Sequence, residues 1–276
     1  MKSRHSNVGR YFAITLVGLA TAFPLLYLLS GSLMTYREII GYPPGLIPID
    51  PQWSNYAEAM DYLTPRAIVN SFIFVVGTLM LQLAVCLPAG FALAKIRFKG
   101  AGALLVFFVI PVVMPTNLML IPTFIVTLKL GLYGSFLGMI LPVAGQASIA
   151  VLLFRQFFAG LPDGLFEAAR LDGASWFQSF ARIALPLARP VVASYSVITF
   201  FTGWNMYIWP LIASGGSANL RVLTVAVAPL ATSQYSTIIS PAVGFAAAVI
   251  SMLPVLVVFV AFQRWFTKGV VGTGLE

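Results

Sequence analysis

Side chains able to do acid–base, nucleophilic or metal chemistry are scarce in these 276 residues, and their placement excludes most of that chemistry. One histidine, His5, stands in the polar N-terminal tail, so neither a His-based metal site nor a Ser-His-Asp triad can be assembled. The single cysteine, Cys86, lies inside an apolar run, where packing is the expected role and an intramolecular disulfide is impossible. A nucleotide-binding G-x-x-x-x-G-K-[ST] loop is absent, and Gly269, Gly272 and Gly274 lack a lysine in the required place. No catalytic residue, metal or cofactor is therefore assigned to this chain.

The carboxylates add a second exclusion. Glu38, Asp50, Glu58, Asp61, Asp163, Glu167, Asp172 and Glu276 all fall in loops or at the C-terminus, outside the long apolar runs. A carrier driven by protons or ions usually needs an ionisable group inside the membrane, despite a cost of about 2.5–3.5 kcal/mol at its centre. Any solute this protein moves is expected to draw its energy from a partner.

The densest chemistry is in Leu161–Pro190, LPDGLFEAARLDGASWFQSFARIALPLARP. Pro162 and Asp163 suit a first helical turn, and Leu165, Phe166, Ala168 and Ala169 make an apolar stripe behind it. Gly173 permits a left-handed turn. Trp176, Phe177, Phe180 and Ile183 then fall at i, i+1, i+4 and i+7 of a second short helix, which Pro186 is expected to end. Two aromatic-faced helices need a surface to pack against: the bilayer, the protein's own helix ends, or a partner.

The elements that position this loop follow from composition. Hydrophobic residues make up 59% and charged residues 9%, whereas a soluble domain is about a quarter charged. The apolar residues come in runs long enough to span a bilayer. They predict an all-α polytopic membrane protein, one domain over 1–276, with six transmembrane spans near 11–33, 67–94, 101–127, 135–158, 187–213 and 240–263. The first is read as a retained span, too long for a signal peptide and without a convincing cleavage site. Pro111, Pro115, Pro122 and Pro142 interrupt the third and fourth, where broken, cavity-lining helices are expected.

Lys and Arg accumulate on the cytoplasmic side of membrane proteins. With the N-terminus inside, all of the 16 cations except Arg37, Arg66, Lys129 and Arg221 are cytoplasmic, so both termini and the Leu161–Pro190 loop are expected there. The net charge of +8 is spread between apolar runs without a basic cluster, so it points to orientation in a lipid membrane and not to nucleic acid. Two larger segments, Thr35–Arg66 and Ser214–Ile239, lie outside, where they meet a partner or simply connect spans. Asn55–Tyr62 suits a short helix at the membrane surface.

The loop also carries a resemblance. Glu167-Ala168-Ala169, then Gly173, Ile183 and Pro186, fits the EAA-x3-G-x9-I-x-LP form of ABC importer permeases at every fixed position. Asn70-Ser71, AGFALAKIRFKG at 89–100, FFTGWNMYIWPL at 200–211 and the QRWFTKG ending resemble the MalG-like permeases of carbohydrate-type importers of the inner membrane. The tail VVGTGLE departs from that pattern.

The resemblance implies that the loop couples this permease to an ATPase subunit, through Glu167, Ala168, Ala169, Arg170, Asp172, Gly173, Trp176, Phe177, Phe180, Ile183 and Pro186. Trp176, Phe177 and Phe180 would be apolar anchors; Glu167, Arg170 and Asp172 would fix register through charge. It also implies a second, different permease, two copies of the ATPase that bind ATP and Mg2+, and an extracytoplasmic solute-binding protein.

A pathway is expected among the polar and aromatic residues of the spans, Gln82, Asn117, Gln146, Trp204, Asn205 and Tyr207, although Trp and Tyr also serve as packing or belt residues. With no cation in the interior of a span, Arg155 and Arg189 falling near the cytoplasmic ends of theirs, a neutral sugar or polyol suits them better than a phosphate. Phe154–Leu211 nonetheless resembles the second permease of glycerol-3-phosphate importers, which keeps glycerophosphate compounds as an alternative. Outside this class stand a self-contained channel or carrier, and a membrane scaffold.

Overall fold

The computed structural model describes the backbone of residues 3–115, 117–231 and 239–271. Part of the second external segment and the tail from residue 272 lie outside the described residues. The described chain is helical throughout its regular elements. It divides into two compact units, residues 1–66 with 225–254, and residues 67–224 with 255–276.

In the first unit, α1 (Ser3–Gly31) passes Pro24 without a break. Gly31 sits so close to the Phe245 ring that a Cβ would lie 2.5 Å from it, so any side chain there would have to displace that ring. Thr35 caps the short α2 (Tyr36–Ile40) in a reciprocal box with Glu38. Glu38 also accepts the Ile49 N–H at 2.7 Å. Backbone and side-chain donors from Thr35, with that from Ile49, hold its carboxyl below the usual carboxylate range. Ser30 Oγ donates to the Leu46 carbonyl, and Asn55 Nδ2 donates to those of Ser32 and Met34, folding the segment back on the end of α1.

The helix expected over Asn55–Tyr62 is present but not separate. It runs into the next span as α3 (Ser54–Lys95), kinked at Thr64, whose φ of 58° and ψ of 139° leave the helical region just before Pro65.

The second unit holds α4 (Ala101–Val113), α5 (Leu120–Lys129), α6 (Phe136–Gly145) and α7 (Ser148–Ala159). After them come α8 (Asp163–Leu171) and α9 (Trp176–Ser179), then a π turn (Phe180–Ala184), α10 (Leu185–Leu187), α11 (Arg189–Trp204) and α12 (Ile208–Ala213). The short α13 (Leu223–Val227) precedes the final α14 (Pro241–Val271). Gly90 lets α3 press onto α7, for a Cβ there would stand 2.8 Å from the Arg155 nitrogen and the Phe154 Cβ. Around that contact Phe91, Phe154, Phe158, Phe166 and Val151 form one buried cluster.

Among the described residues three helices are long and apolar enough to cross a membrane, Arg10–Gly31, Ser54–Lys95 and Pro241–Gln263, and up to five spans result if two bent pairs each count as one. The chain is thus an all-α polytopic membrane protein with three to five apolar spans. The expected third span is divided into α4 and α5, and the fourth bends by 47° between α6 and α7.

Two corrections concern the fifth span. Pro186 does not end the second loop helix. The π turn ahead of it places the Leu185 N–H on the Phe180 carbonyl, and the helix continues through Pro186 to a 72° bend before Arg189. The expected span 187–213 is also not continuous, since residues 205–207 separate α11 from α12.

Candidate functional site

The Leu161–Pro190 loop is built by local rules. Pro162 precedes α8, and Asp163 sits in its first turn. At the other end Gly173 takes φ +84°, with its own N–H on Arg170 O and that of Ala174 on Ala169 O, a Schellman closure. A Cβ at Gly173 would meet nothing within 4 Å, so handedness and not space demands glycine. Ser175 then starts α9 through a capping box with Gln178.

Its two faces have different surroundings. Phe91 of α3 is the centre of the inner face, with ring centroids 5.7 Å from Phe166, 6.3 Å from Trp176, 5.3 Å from Phe180 and 5.6 Å from Phe158. Ile183 packs on the same cluster. Trp176 and Phe180 are therefore half-buried against the protein's own helices, and Arg170 stacks on Trp176 at 4.5 Å. The outer face exposes Phe177 and Leu171, 76% and 90% accessible, together with Leu165, Glu167, Ala168, Asp172 and Pro186. Ala169 is intermediate.

Lys95, the last residue of α3, ties the loop down. Its side chain is only 4% exposed, and its ammonium donates to the Leu161 carbonyl at 2.6 Å and to Asp163 at 2.5 Å. It also lies 5.2 Å from the Phe166 ring centroid, a cation–π distance. The Lys95 bond, then its charge, holds the Asp163 carboxyl below its ordinary value, with a smaller push from Arg97. A recess of about 770 Å³ opens beside this latch, lined by Lys95, Arg97, Asp163, Glu167, Arg170 and Trp176 among others.

A second feature gathers the polar residues of the broken helices. Asn117, Gln146, Asn205 and Tyr207 line one cavity of about 520 Å³ with Thr123, Met206 and Trp209. Each amide stands at a break: Asn117 between α4 and α5, Gln146 between α6 and α7, and Asn205 after α11. Where a helix breaks, its backbone leaves carbonyls and amides in need of partners, so polar side chains and cavities collect there. Thr224 Oγ1 donates to the Met206 carbonyl at the third break, and Trp209 Nε1 to that of Met139.

Gln82 and Trp204 are placed elsewhere. Gln82 is buried with its amide bonded to Val143 and Tyr195. Trp204 is 3% exposed, its ring edge-on to Phe72 at 4.9 Å and stacked with Phe200 at 5.4 Å. Sequence reasoning passed over Lys95 and Phe91, which sit inside the AGFALAKIRFKG stretch, and Trp209, which follows the break at residues 205–207.

Comparison with known proteins bears on this arrangement. The family of binding-protein-dependent transport system inner membrane components matches residues 86–272. The chain belongs to that family. As a permease of this kind it is 32% identical over 264 residues to the sn-glycerol-3-phosphate transport system permease protein UgpE of Pectobacterium atrosepticum, covering 92% of each chain. UgpE of Agrobacterium fabrum is 31% identical over 265 residues, covering 91% of each.

The permease fold is similar to a solved chain of a bacterial ABC transporter involved in the import of the acidic polysaccharide alginate. The TM-score is 0.85 at 23% identity, covering 96% of this chain and 99% of that one. The protein is a multi-pass inner-membrane permease subunit of a carbohydrate-type ABC importer, a transport component and not an enzyme.

Proposed function

We propose that this chain, acting over 1–276 as one permease domain with six spans and both termini cytoplasmic, pairs with a second, different permease. The pair takes its force from two ATPase subunits that bind ATP and Mg2+, and receives solute from an extracytoplasmic binding protein. The observation that carries this reading is the two-faced loop: its inner aromatics pack on Phe91 and its Asp163 pairs with Lys95, both of α3, while Phe177, Leu171 and Leu165 stand exposed beside Glu167 and Asp172. A loop fixed to its own spans and apolar outward can pass a push from a partner into those spans.

Co-purification tests it. The assembled importer should lose its ATPase subunits on Phe177→Asp while the two permeases stay together. Undiminished ATPase retention, or solute uptake by this chain reconstituted alone, would overturn the reading.

The solute is proposed to be glycerol-3-phosphate or a related glycerophosphodiester, supported by the UgpE relatives. A neutral sugar or polyol is the second reading, favoured by a cavity of amides and a phenol without a cation. Titration of the partner binding protein with glycerol-3-phosphate and with a neutral disaccharide separates them.

A further inference from the structure

Gln82 is a buried amide of the spans that does not line the cavity, and its bonds show what it holds. Its carboxamide is 7% exposed, donates from Nε2 to the Val143 carbonyl at 3.2 Å and accepts the Tyr195 hydroxyl at 2.7 Å. In an unbroken helix Val143 O would take the N–H of Ala147. At the break between α6 and α7 that N–H turns to Ala144 O instead, at 3.3 Å, and Gln146 N–H goes to Pro142 O.

Val143, half-buried on the cavity wall, is thereby left with a carbonyl that lacks its helical partner, a position that costs free energy unless a donor reaches it. Gln82 supplies that donor. One turn further along α3, Cys86 Sγ lies 3.7 Å from the Ala147 carbonyl, so α3 contacts the break on both sides of Gln146. The Val143 carbonyl can only accept, which turns Nε2 towards it, and the Tyr195 hydroxyl, from α11, donates to the oxygen left on the other side.

We infer that Gln82, braced by Tyr195, is a positioning residue: it keeps the α6–α7 break open and so holds Gln146 on the cavity wall. The inference rests on the cavity being the solute pathway for its importance to transport, but not for its geometry. Helix α3 also carries Phe91 and Lys95, which grip the coupling loop. The same helix therefore contacts the coupling loop at one end and the broken wall of the cavity further back.

The test measures the wall directly. In the complete importer, held in lipid nanodiscs and carrying Cys86→Ala, a thiol is introduced by Gln146→Cys or, in a second sample, by Asn205→Cys. Its reaction rate with a water-soluble maleimide is then followed. Adding Gln82→Leu should change the rate at position 146 by about fivefold, as expected for loss of a buried hydrogen bond. Tyr195→Phe should change it in the same direction by less, and position 205 should stay within about twofold.

Tyr195→Phe removes one hydroxyl and carries the test if the Leu variant does not assemble. Unchanged rates at 146, or equal shifts at 146 and 205 that signal a loosened subunit, would overturn the inference. Protection of the position-146 thiol by solute with the loaded binding protein is read separately. Without protection the pathway reading fails, while the effect of Gln82 on the wall still stands or falls on the rates alone.

Discussion

At Gly173 the backbone conformation, and not the space around it, limits what can be substituted. With φ at +84° and open surroundings, Gly173→Ala should strain the loop by about 1–2 kcal/mol, while Gly173→Asn should cost less because Asn visits the left-handed region. The measurement is solute-stimulated ATP hydrolysis in the assembled importer: reduced for Ala, closer to wild type for Asn. Equal loss in both would mean that side-chain size, not handedness, governs the turn.

Lys95 and Asp163 make a complementary prediction. Because the folded Asp163 carboxyl is held below its ordinary value, its contribution is fully present above that ordinary value and is lost as pH falls through the lower, folded one. Hydrogen exchange of α8 should stay slow from neutral pH into the weakly acidic range and then quicken. Asp163→Asn should lose this pH dependence. Lys95→Met, which removes the Leu161 bond and the Phe166 contact as well, should speed α8 exchange about tenfold at neutral pH.

At the scale of elements, proline and glycine read well where they act alone, and poorly where a neighbour compensates. The turn at Gly173 and the start of α8 at Pro162 were legible because each rests on a local dihedral rule. Pro186 misled because a π turn widens the helix just ahead of it and absorbs the missing donor. The breaks around Asn117 and Gln146 were signalled by Pro115 and Pro142; that at Asn205 was not read from Pro210, which lies in the first turn of α12, and its Met206 carbonyl is met by Thr224, distant in sequence.

The short helices of the Leu161–Pro190 loop were legible as a spacing, but the loop's division into two faces was not. Whether Trp176 and Phe180 point inward depends on Phe91, which belongs to another helix. Helix α9 should accordingly respond unequally to substitution. Phe177→Ala should weaken ATPase binding by about 2 kcal/mol without loosening the permease, whereas Phe180→Ala should destabilise the permease itself by about 3 kcal/mol. Thermal unfolding and ATPase pull-down on the two variants check the contrast.

For the whole molecule, the orientation argued from cations predicts labelling by side. In a Cys86→Ala background, Lys99→Cys should react with an impermeant maleimide only from the cytoplasm, and Asp50→Cys only from outside. Reaction of both from one side would invert or break the six-span topology.

The three breaks around the cavity supply polar groups to the membrane interior as amides, a phenol and backbone carbonyls, without any ionised side chain. A structure that rearranges such groups moves no net charge through the electric field of the bilayer. A voltage sensor gains about 2.3 kcal/mol per elementary charge for each 100 mV, and the described lining of this cavity has no fixed charge with which to collect it, Arg155 and Arg189 lying towards the ends of their spans. Rearrangement of the cavity wall should therefore be blind to membrane potential. Any current that accompanies import would be the charge of the cargo itself.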